Sequence, residues 1–274
     1  MKIKDVKELQ KIANNVRIGI IEAVYAAKSG HPGGSLSIAD ILTVLYFNQM
    51  NIDETKPQDK SRDRLVLSKG HCAPALYSVL AERGFFENGL LKTLRNINGN
   101  LQGHPDMNKI LGVDMTTGSL GQGLSVANGM AMASKLGKEG IRVYCICGDG
   151  EIQEGQIWEA AMTSSHYKLD NLCLIIDNNN LQIDGNVDEV MSIYPINEKL
   201  KSFGFEVMNV DGHNIQELIK TFEQAKKIKG KPTAIIANTI KGKGVSFMEN
   251  QAGWHGKAPN EEEYKIAIKD LSTQ

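Results

Sequence analysis

Residues 141–185 read IRVYCICGDGEIQEGQIWEAAMTSSHYKLDNLCLIIDNNNLQIDG. Ile141 to Cys147 is a short apolar run rich in β-formers, which predicts a buried strand. Gly148-Asp149-Gly150 ends it with residues suited to a tight turn. From Gln153 to Lys168, Ile157, Ala160, Ala161 and Ser164 recur at helical spacing. Leu172 to Ile176 is a second apolar run, closed by Asp177-Asn178-Asn179-Asn180. The pattern is a strand–helix–strand unit. Such a crossover makes the two strands parallel, so their carboxyl ends share one edge of a sheet.

Adjacent strands lie about 4.8 Å apart. Asp149 and Asn179 therefore project together from the edge at which open α/β sheets bind ligands. One carboxylate and one carboxamide oxygen are hard donors that suit Mg2+, which completes its shell with waters and phosphate oxygens. The neighbouring helix N-terminus favours an anion. A pyrophosphate held through Mg2+ is the economical reading. A dinucleotide loop would place glycine where Gln153 stands, and would leave Asp149 facing a bare diphosphate. Taken separately, GDG and DNNN are ordinary polar turns at strand ends. Their combination across one strand–helix–strand unit is what points to a ligand.

The rest of the chain extends the same architecture. With 274 residues the sequence can bury a sizeable core as one α/β domain spanning 1–274, with a mostly parallel central sheet and helices on both faces. Residues 5–28 form an amphipathic helix, with Leu9, Ile12, Val16, Ile20, Ala23 and Ala27 in register. A second helix is expected from Ser37 to Asn48, with Ser37 as N-cap and Asp40 at its third position. Arg64 to Ser68 is a strand leading into a helix from Pro74 to Arg83. Phe205 to Val210, a helix over 214–228, and Thr233 to Asn238 repeat the parallel crossover. Asn260 and Glu263 open a closing helix as a capping box.

The net charge is -1, with both signs interspersed, so there is no basic footprint for nucleic acid. The N-terminal stretch MKIKDVKELQKIANN lacks the apolar centre of a signal peptide. The densest apolar run, Ile41 to Phe47, is far too short to span a bilayer. Cys72, Cys145, Cys147 and Cys173 have no metal-finger spacing and read as packing residues. A reducing cytoplasm is the expected location.

Several further turns carry histidine: Gly30-His31-Pro32-Gly33-Gly34, Lys69-Gly70-His71, Gly103-His104-Pro105 and Trp254-His255-Gly256. Each alone reads as a structural turn residue. Together with GDGEIQEGQIWEA and DNNNLQIDG, however, SGHPGGS, DRLVLSKGHCAPALY, the GHP turn and TGSLGQG resemble the transketolases, a family of thiamine diphosphate enzymes. The resemblance runs from Ser29 to Pro259 in at least six separate motifs.

That resemblance implies the following site. Asp149, the side chain of Asn179 and the carbonyl of Leu181 would hold Mg2+, for which Ca2+ or Mn2+ could substitute. His71, Gly118, Ser119, Leu120, Gly150, Glu154, Asn179, Ile183 and His255 would bind thiamine diphosphate. His31, His104 and His255 would face the sugar and help move protons. Glu154 and Glu159 correspond to glutamates at the family's subunit interface, which implies self-association and two copies of each chain. His213 reads as structural, and His166 has no assigned role.

The match covers only the diphosphate-binding half of a transketolase. The family's pyrimidine-binding domain, which carries the activating glutamate, has no counterpart in these residues. The resemblance therefore implies the N-terminal subunit of a split transketolase, working with a C-terminal subunit on sugar phosphates, with a piece of a single-chain enzyme as the other reading. The implied reaction moves a two-carbon ketol unit from a ketose phosphate to an aldose phosphate. A deoxyxylulose-phosphate synthase-like enzyme, a sulfosugar transketolase and a non-catalytic paralogue stay open beside it.

Overall fold

The computed structural model describes residues 2–273. The chain begins with α1 (Val6–Ala27), capped by Asp5, whose side chain accepts from the Lys7 amide. Then come α2 (Pro32–Ser37) and α3 (Ala39–Val44), which runs into a π-helical turn over Leu45–Gln49. Strand β1 (Arg64–Leu67) and helix α4 (Ala73–Arg83) follow. Helix α5 (Gly123–Gly137), β2 (Val143–Gly148), α6 (Gly155–His166) and β3 (Leu172–Asn178) make the central unit. A small hairpin, β4 (Leu181–Gln182) and β5 (Gly185–Asn186), precedes α7 (Val187–Met191) and α8 (Ile196–Ser202). The chain closes with β6 (Glu206–Asp211), α9 (Ile215–Lys227), β7 (Thr233–Asn238) and α10 (Glu261–Ser272).

Five strands form one sheet in the order β1-β2-β3-β7-β6, and every pairing is parallel. The sequence reads these strands as apolar runs because both faces are covered. Leu65, Leu67, Tyr144, Ile146, Cys173, Ile175 and Ile235 pack with α1 to α4, α9 and α10. Val66, Val143, Cys145, Cys147, Leu174 and Ile236 pack with α5, α6 and α8. All four cysteines are buried and free, in keeping with a packing role. Among the described residues no helix is long and apolar enough to cross a membrane.

The expected helix from Ser37 to Asn48 is a correction. The helix begins earlier, at Pro32, whose missing N–H costs nothing at a first helical position. It breaks at Ile38 and resumes as α3. Ser37 caps nothing: its hydroxyl donates to the Gly34 carbonyl at 2.9 Å and to the Asp177 carboxylate at 2.7 Å. The closing helix is as expected, with Asn260 and Glu263 in a complete capping box.

The register places the site. Gly148 pairs with Asp177, and Asn178 with Asn238, so β2, β3 and β7 end level with one another. Gly123, at the start of α5, packs directly on the end of β1. A Cβ there would lie 2.4 Å from the Ser68 side chain, so only glycine permits this approach.

Candidate active site

Four strand ends and four loops converge at the carboxyl edge of the sheet. The turns after β1, β2, β3 and β7 meet the loops carrying His31, His104, Gly118 and His255 around a cavity of about 370 Å3. The strands fix backbone positions to within the sheet spacing, and the loops supply the chemistry.

Beneath the cavity Asp177 is fully buried and accepts from four side chains. These are Lys69 Nζ at 2.5 Å, Ser37 Oγ at 2.7 Å, Asn179 Nδ2 at 2.9 Å and Thr239 Oγ1 at 2.5 Å. Burial alone would raise the pKa of Asp177, but Lys69 and the hydrogen bonds outweigh it, and the carboxyl stays below its ordinary range. Lys69 is likewise held charged: burial opposes this and Asp177 overrides it. The Asn179 contact fixes the amide orientation. Nδ2 is committed to Asp177, which leaves Oδ1 on the other side, where it accepts from the Leu181 amide at 3.1 Å.

Asp149 stands beside this network at 2% exposure. Oδ1 accepts from Gly150 N at 2.8 Å, and Oδ2 accepts from the Asn180 amide. Burial and then the Asp177 charge push its pKa up to about 7. Glu151 is a third buried carboxylate, and it clamps three segments. Oε1 accepts from Ser68 Oγ at 2.5 Å and Gly121 N at 2.9 Å, and Oε2 accepts from Gly148 N at 3.0 Å. Burial raises its pKa as well.

On the other wall the rings of His31, His71 and His255 form a triangle with centroids 5.1 to 5.3 Å apart. Burial is the largest influence on each. It is reinforced at His31 by His71, at His71 by Lys69 and at His255 by Lys241, so the pKa values fall to about 4, 4 and 3. All three rings are therefore neutral at pH 7. Neutral imidazoles can each accept and donate a proton, which imidazolium cannot. Lys241 is 2% exposed, and its Nζ donates to the Leu181 carbonyl at 3.0 Å and meets His255 Nδ1 at 3.0 Å. Burial, then repulsion from Lys69, brings Lys241 down to about 8.

Most residues anticipated from the sequence meet here. His31, His71, His104, Gly118, Leu120, Asp149, Gly150, Glu154, Asn179, Leu181, Ile183 and His255 all line the cavity. Ser119 is exposed beside Gly118 rather than in the lining, and Glu159 lies exposed on α6, outside it. Sequence reasoning missed Lys69, Glu151, Asp177 and Lys241. Their signal was position: Lys69, Asp177 and Lys241 each stand at or just past the carboxyl end of a parallel strand. His213, read from the sequence as structural, lies outside the cavity lining and is bonded to Asp40 and to the Ile240 amide.

The donors present fit a divalent cation and a diphosphate. Among the described residues no three His, Cys, Asp or Glu side chains group as a metal cluster. The anticipated donors, one carboxylate, one carboxamide and one carbonyl, need no such cluster. The buried Asp149 carboxylate, disfavoured by the charge of Asp177, is a group that a cation would stabilise. Lys69 and Lys241 add positive charge to the same cavity. The Leu181 carbonyl already accepts from Lys241, so a cation there would share that oxygen with the ammonium.

A parallel sheet with hard oxygen donors, buried ammonium groups and neutral imidazoles at its carboxyl edge defines a domain for a diphosphate cofactor. A family model for the transketolase thiamine diphosphate binding domain matches residues 8–273, and the chain belongs to that family. It is similar to the 6-deoxy-6-sulfo-D-fructose transketolase subunit SqwG of Clostridium sp. (strain MSTE9), with 46% identity over 267 residues, 97% of each chain. It is 44% identical to an apulose-4-phosphate transketolase subunit of Phocaeicola vulgatus over 97% of this chain and 93% of that one. Transketolase of Homo sapiens is 45% identical but is covered over only 42% of its length. The crystal structure of transketolase from Campylobacter jejuni superposes with a TM-score of 0.92 and 38% identity, covering 98% of this chain and 43% of that one.

Proposed function

We propose that this chain is the diphosphate-binding subunit of a two-polypeptide transketolase. With a second subunit that supplies the pyrimidine-binding half, it transfers a two-carbon ketol unit from a ketose phosphate, or a sulfosugar, to an aldose phosphate. The observation that carries this reading is the arrangement of Asp149, Asn179 and the Leu181 carbonyl in one cavity with Lys241, which donates to that carbonyl, and the three neutral imidazoles. The likeness to two chains that are themselves named transketolase subunits, matched over nearly their full length, supports the two-polypeptide form.

In this reading Asp149, Asn179 Oδ1 and the Leu181 carbonyl hold Mg2+. Gly150, His71 and Lys241 bind the diphosphate. Gly118 and Leu120 contact the cofactor body, with Ser119 exposed beside them at the cavity's edge, and Ile183 gives it an apolar surface. When bound, thiamine diphosphate supplies the electron sink that breaking and forming the carbon–carbon bond requires. His31, His104 and His255 face the sugar. Their neutral rings donate to and accept from its hydroxyls and carry protons between them. Glu154 and Glu159, exposed on this chain, lie at an interface between two copies, giving two of each subunit in a cytoplasmic assembly.

The test is ketose-to-aldose transfer by this chain alone and with its partner subunit, with thiamine diphosphate and Mg2+ present. The donors are an ordinary ketose phosphate, 6-deoxy-6-sulfofructose and apulose 4-phosphate. Transfer only in the mixture supports the reading, and the preferred donor identifies the substrate. Transfer by this chain alone would overturn it.

A further inference from the structure

We propose that His213 is a positioning residue for the active site, acting through the turn that carries Lys241. It rests on the reading of the cavity as the cofactor site. His213 itself does not line that cavity.

The imidazole sits between two partners. Nδ1 lies 2.8 Å from Asp40 Oδ2, and Nε2 lies 2.8 Å from the Ile240 amide nitrogen. A backbone N–H can only donate, so Nε2 must present its lone pair. The ring proton is then on Nδ1, directed at the carboxylate. This single tautomer satisfies both contacts.

Asp40 is not free to turn away. It is 4% exposed on α3, and the Arg17 guanidinium of α1, itself 6% exposed, forms a salt bridge with the same oxygen, Oδ2. Burial would raise its pKa, but Arg17 and His213 outweigh that, so it stays an anion. Arg17, Asp40, His213 and the Ile240 N–H thus form one hydrogen-bonded line, from the helical layer to the turn after β7. A buried ion pair adds little stability over apolar residues of the same size. Its contribution here is a fixed geometry for the turn it supports.

The turn has other supports: Thr239 Oγ1 donates to Asp177 at 2.5 Å, Asn250 N to the Lys241 carbonyl at 2.9 Å and Lys243 N to the Ile240 carbonyl at 3.2 Å, but none of them holds the Ile240 amide. Its two flanks are held by Thr239 N to Asn178 O at 3.2 Å and Gly242 N to Gly33 O at 2.9 Å. Between them, Ile240 N has His213 as its acceptor. The next residue is Lys241, whose Nζ reaches the Leu181 carbonyl and His255. The turn that carries His213 is pressed against this one. Gly212 N donates to Asn238 O at 2.8 Å, and a Cβ on Gly212 would come within 2.4 Å of Thr239 Cγ2. The two turns are therefore registered against each other, and a loss at His213 is felt first at the Ile240 amide, one residue before Lys241.

The experiment compares His213→Leu, His213→Gln, Lys241→Met and the His213→Leu/Lys241→Met double variant. Two quantities are measured: amide hydrogen exchange on the 274-residue chain, and affinity for thiamine diphosphate with Mg2+ in the presence of the partner subunit. His213→Leu is expected to speed exchange at Ile240 about tenfold, with Ile175 in β3 unchanged, and to weaken cofactor binding by about tenfold. His213→Gln, which restores an acceptor, recovers much of both. In the Lys241→Met background His213→Leu adds no further loss, because the two act as one unit. Unchanged exchange at Ile240 overturns the proposal whatever the cofactor does. So do binding losses that multiply in the double variant. Faster exchange with wild-type affinity in Lys241→Met overturns instead the cofactor role of Lys241, and with it the functional half of the proposal.

Discussion

Lys241 Nζ lies 3.0 Å from His255 Nδ1. The ammonium donates, so Nδ1 accepts and the neutral ring carries its proton on Nε2. Lys241 comes from the turn after β7, and His255 from the loop just before α10. A residue with no catalytic signature in the sequence therefore sets the tautomer of one that the motifs singled out. It also lies within reach of the Leu181 carbonyl, which joins the proposed metal side of the cavity to the histidine side.

Lys241→Met is expected to weaken diphosphate binding by about 10- to 100-fold, the range for losing a hydrogen bond to a charged group. Thermal stability should hold or rise, because burial already pushes this lysine down to about 8. Calorimetric titration with Mg2+ and thiamine diphosphate, with the partner present, measures the first, and thermal unfolding the second. Unaltered affinity would remove Lys241 from the site.

The three clustered histidines give a pH signature. Their folded pKa values, about 4 for His31 and His71 and about 3 for His255, lie below the ordinary 6.5. Between those values the unfolded chain binds more protons than the folded one. Their stabilising contribution is complete above about pH 6.5 and is lost as pH falls toward 4 and 3. Urea midpoints at pH 7 and pH 5 should differ more for the wild type than for a variant with all three rings replaced by asparagine. Equal differences would mean that the rings are not buried neutral.

The division between what could and could not be read from the sequence follows range. The central strand–helix–strand unit, the cap at Asn260, and the meeting of Asp149 with Asn179 follow from local periodicity, a capping pattern and one rule about parallel strands. The Ser37–Asn48 helix was misplaced because Ser37 looked like a cap, while its hydroxyl answers to Asp177, 140 residues away in sequence. Lys69 and Asp177 are 108 residues apart, so no window shows them as a pair. Charged residues inside short turn motifs read as solvated until the fold encloses them.

Breaking the Lys69–Asp177 pair tests how far it supports the site. Lys69→Met leaves a fully buried carboxylate without its cation, which costs about 3–5 kcal/mol by comparison with other buried pairs. The double variant Lys69→Met/Asp177→Leu should recover part of that loss and still fail to bind cofactor, because Asn179 loses the acceptor that orients its amide. Urea denaturation supplies the stabilities. A double variant no more stable than Lys69→Met would mean that the site, rather than the pair, sets the cost.

Asp149→Asn should separate stability from function. In the metal-free chain the carboxylate is 2% exposed and close to the charge of Asp177, and its pKa stands at about 7 against an ordinary 3.8. The folded chain then holds its proton more tightly than the unfolded chain does. The group subtracts from stability as pH rises from about 4 to 7, and the penalty stays in place above 7. The amide carries no such charge but keeps an oxygen for only one of the Gly150 and Asn180 amides; the removed charge is expected to outweigh that lost bond, so the metal-free variant should melt at a higher temperature than the wild type at pH 8. Mg2+ should raise the melting temperature of the wild type in the presence of thiamine diphosphate and leave that of the variant unchanged. If metal stabilises both equally, Asp149 is not a ligand. If the variant melts lower, the two backbone donors need a carboxylate more than its burial costs.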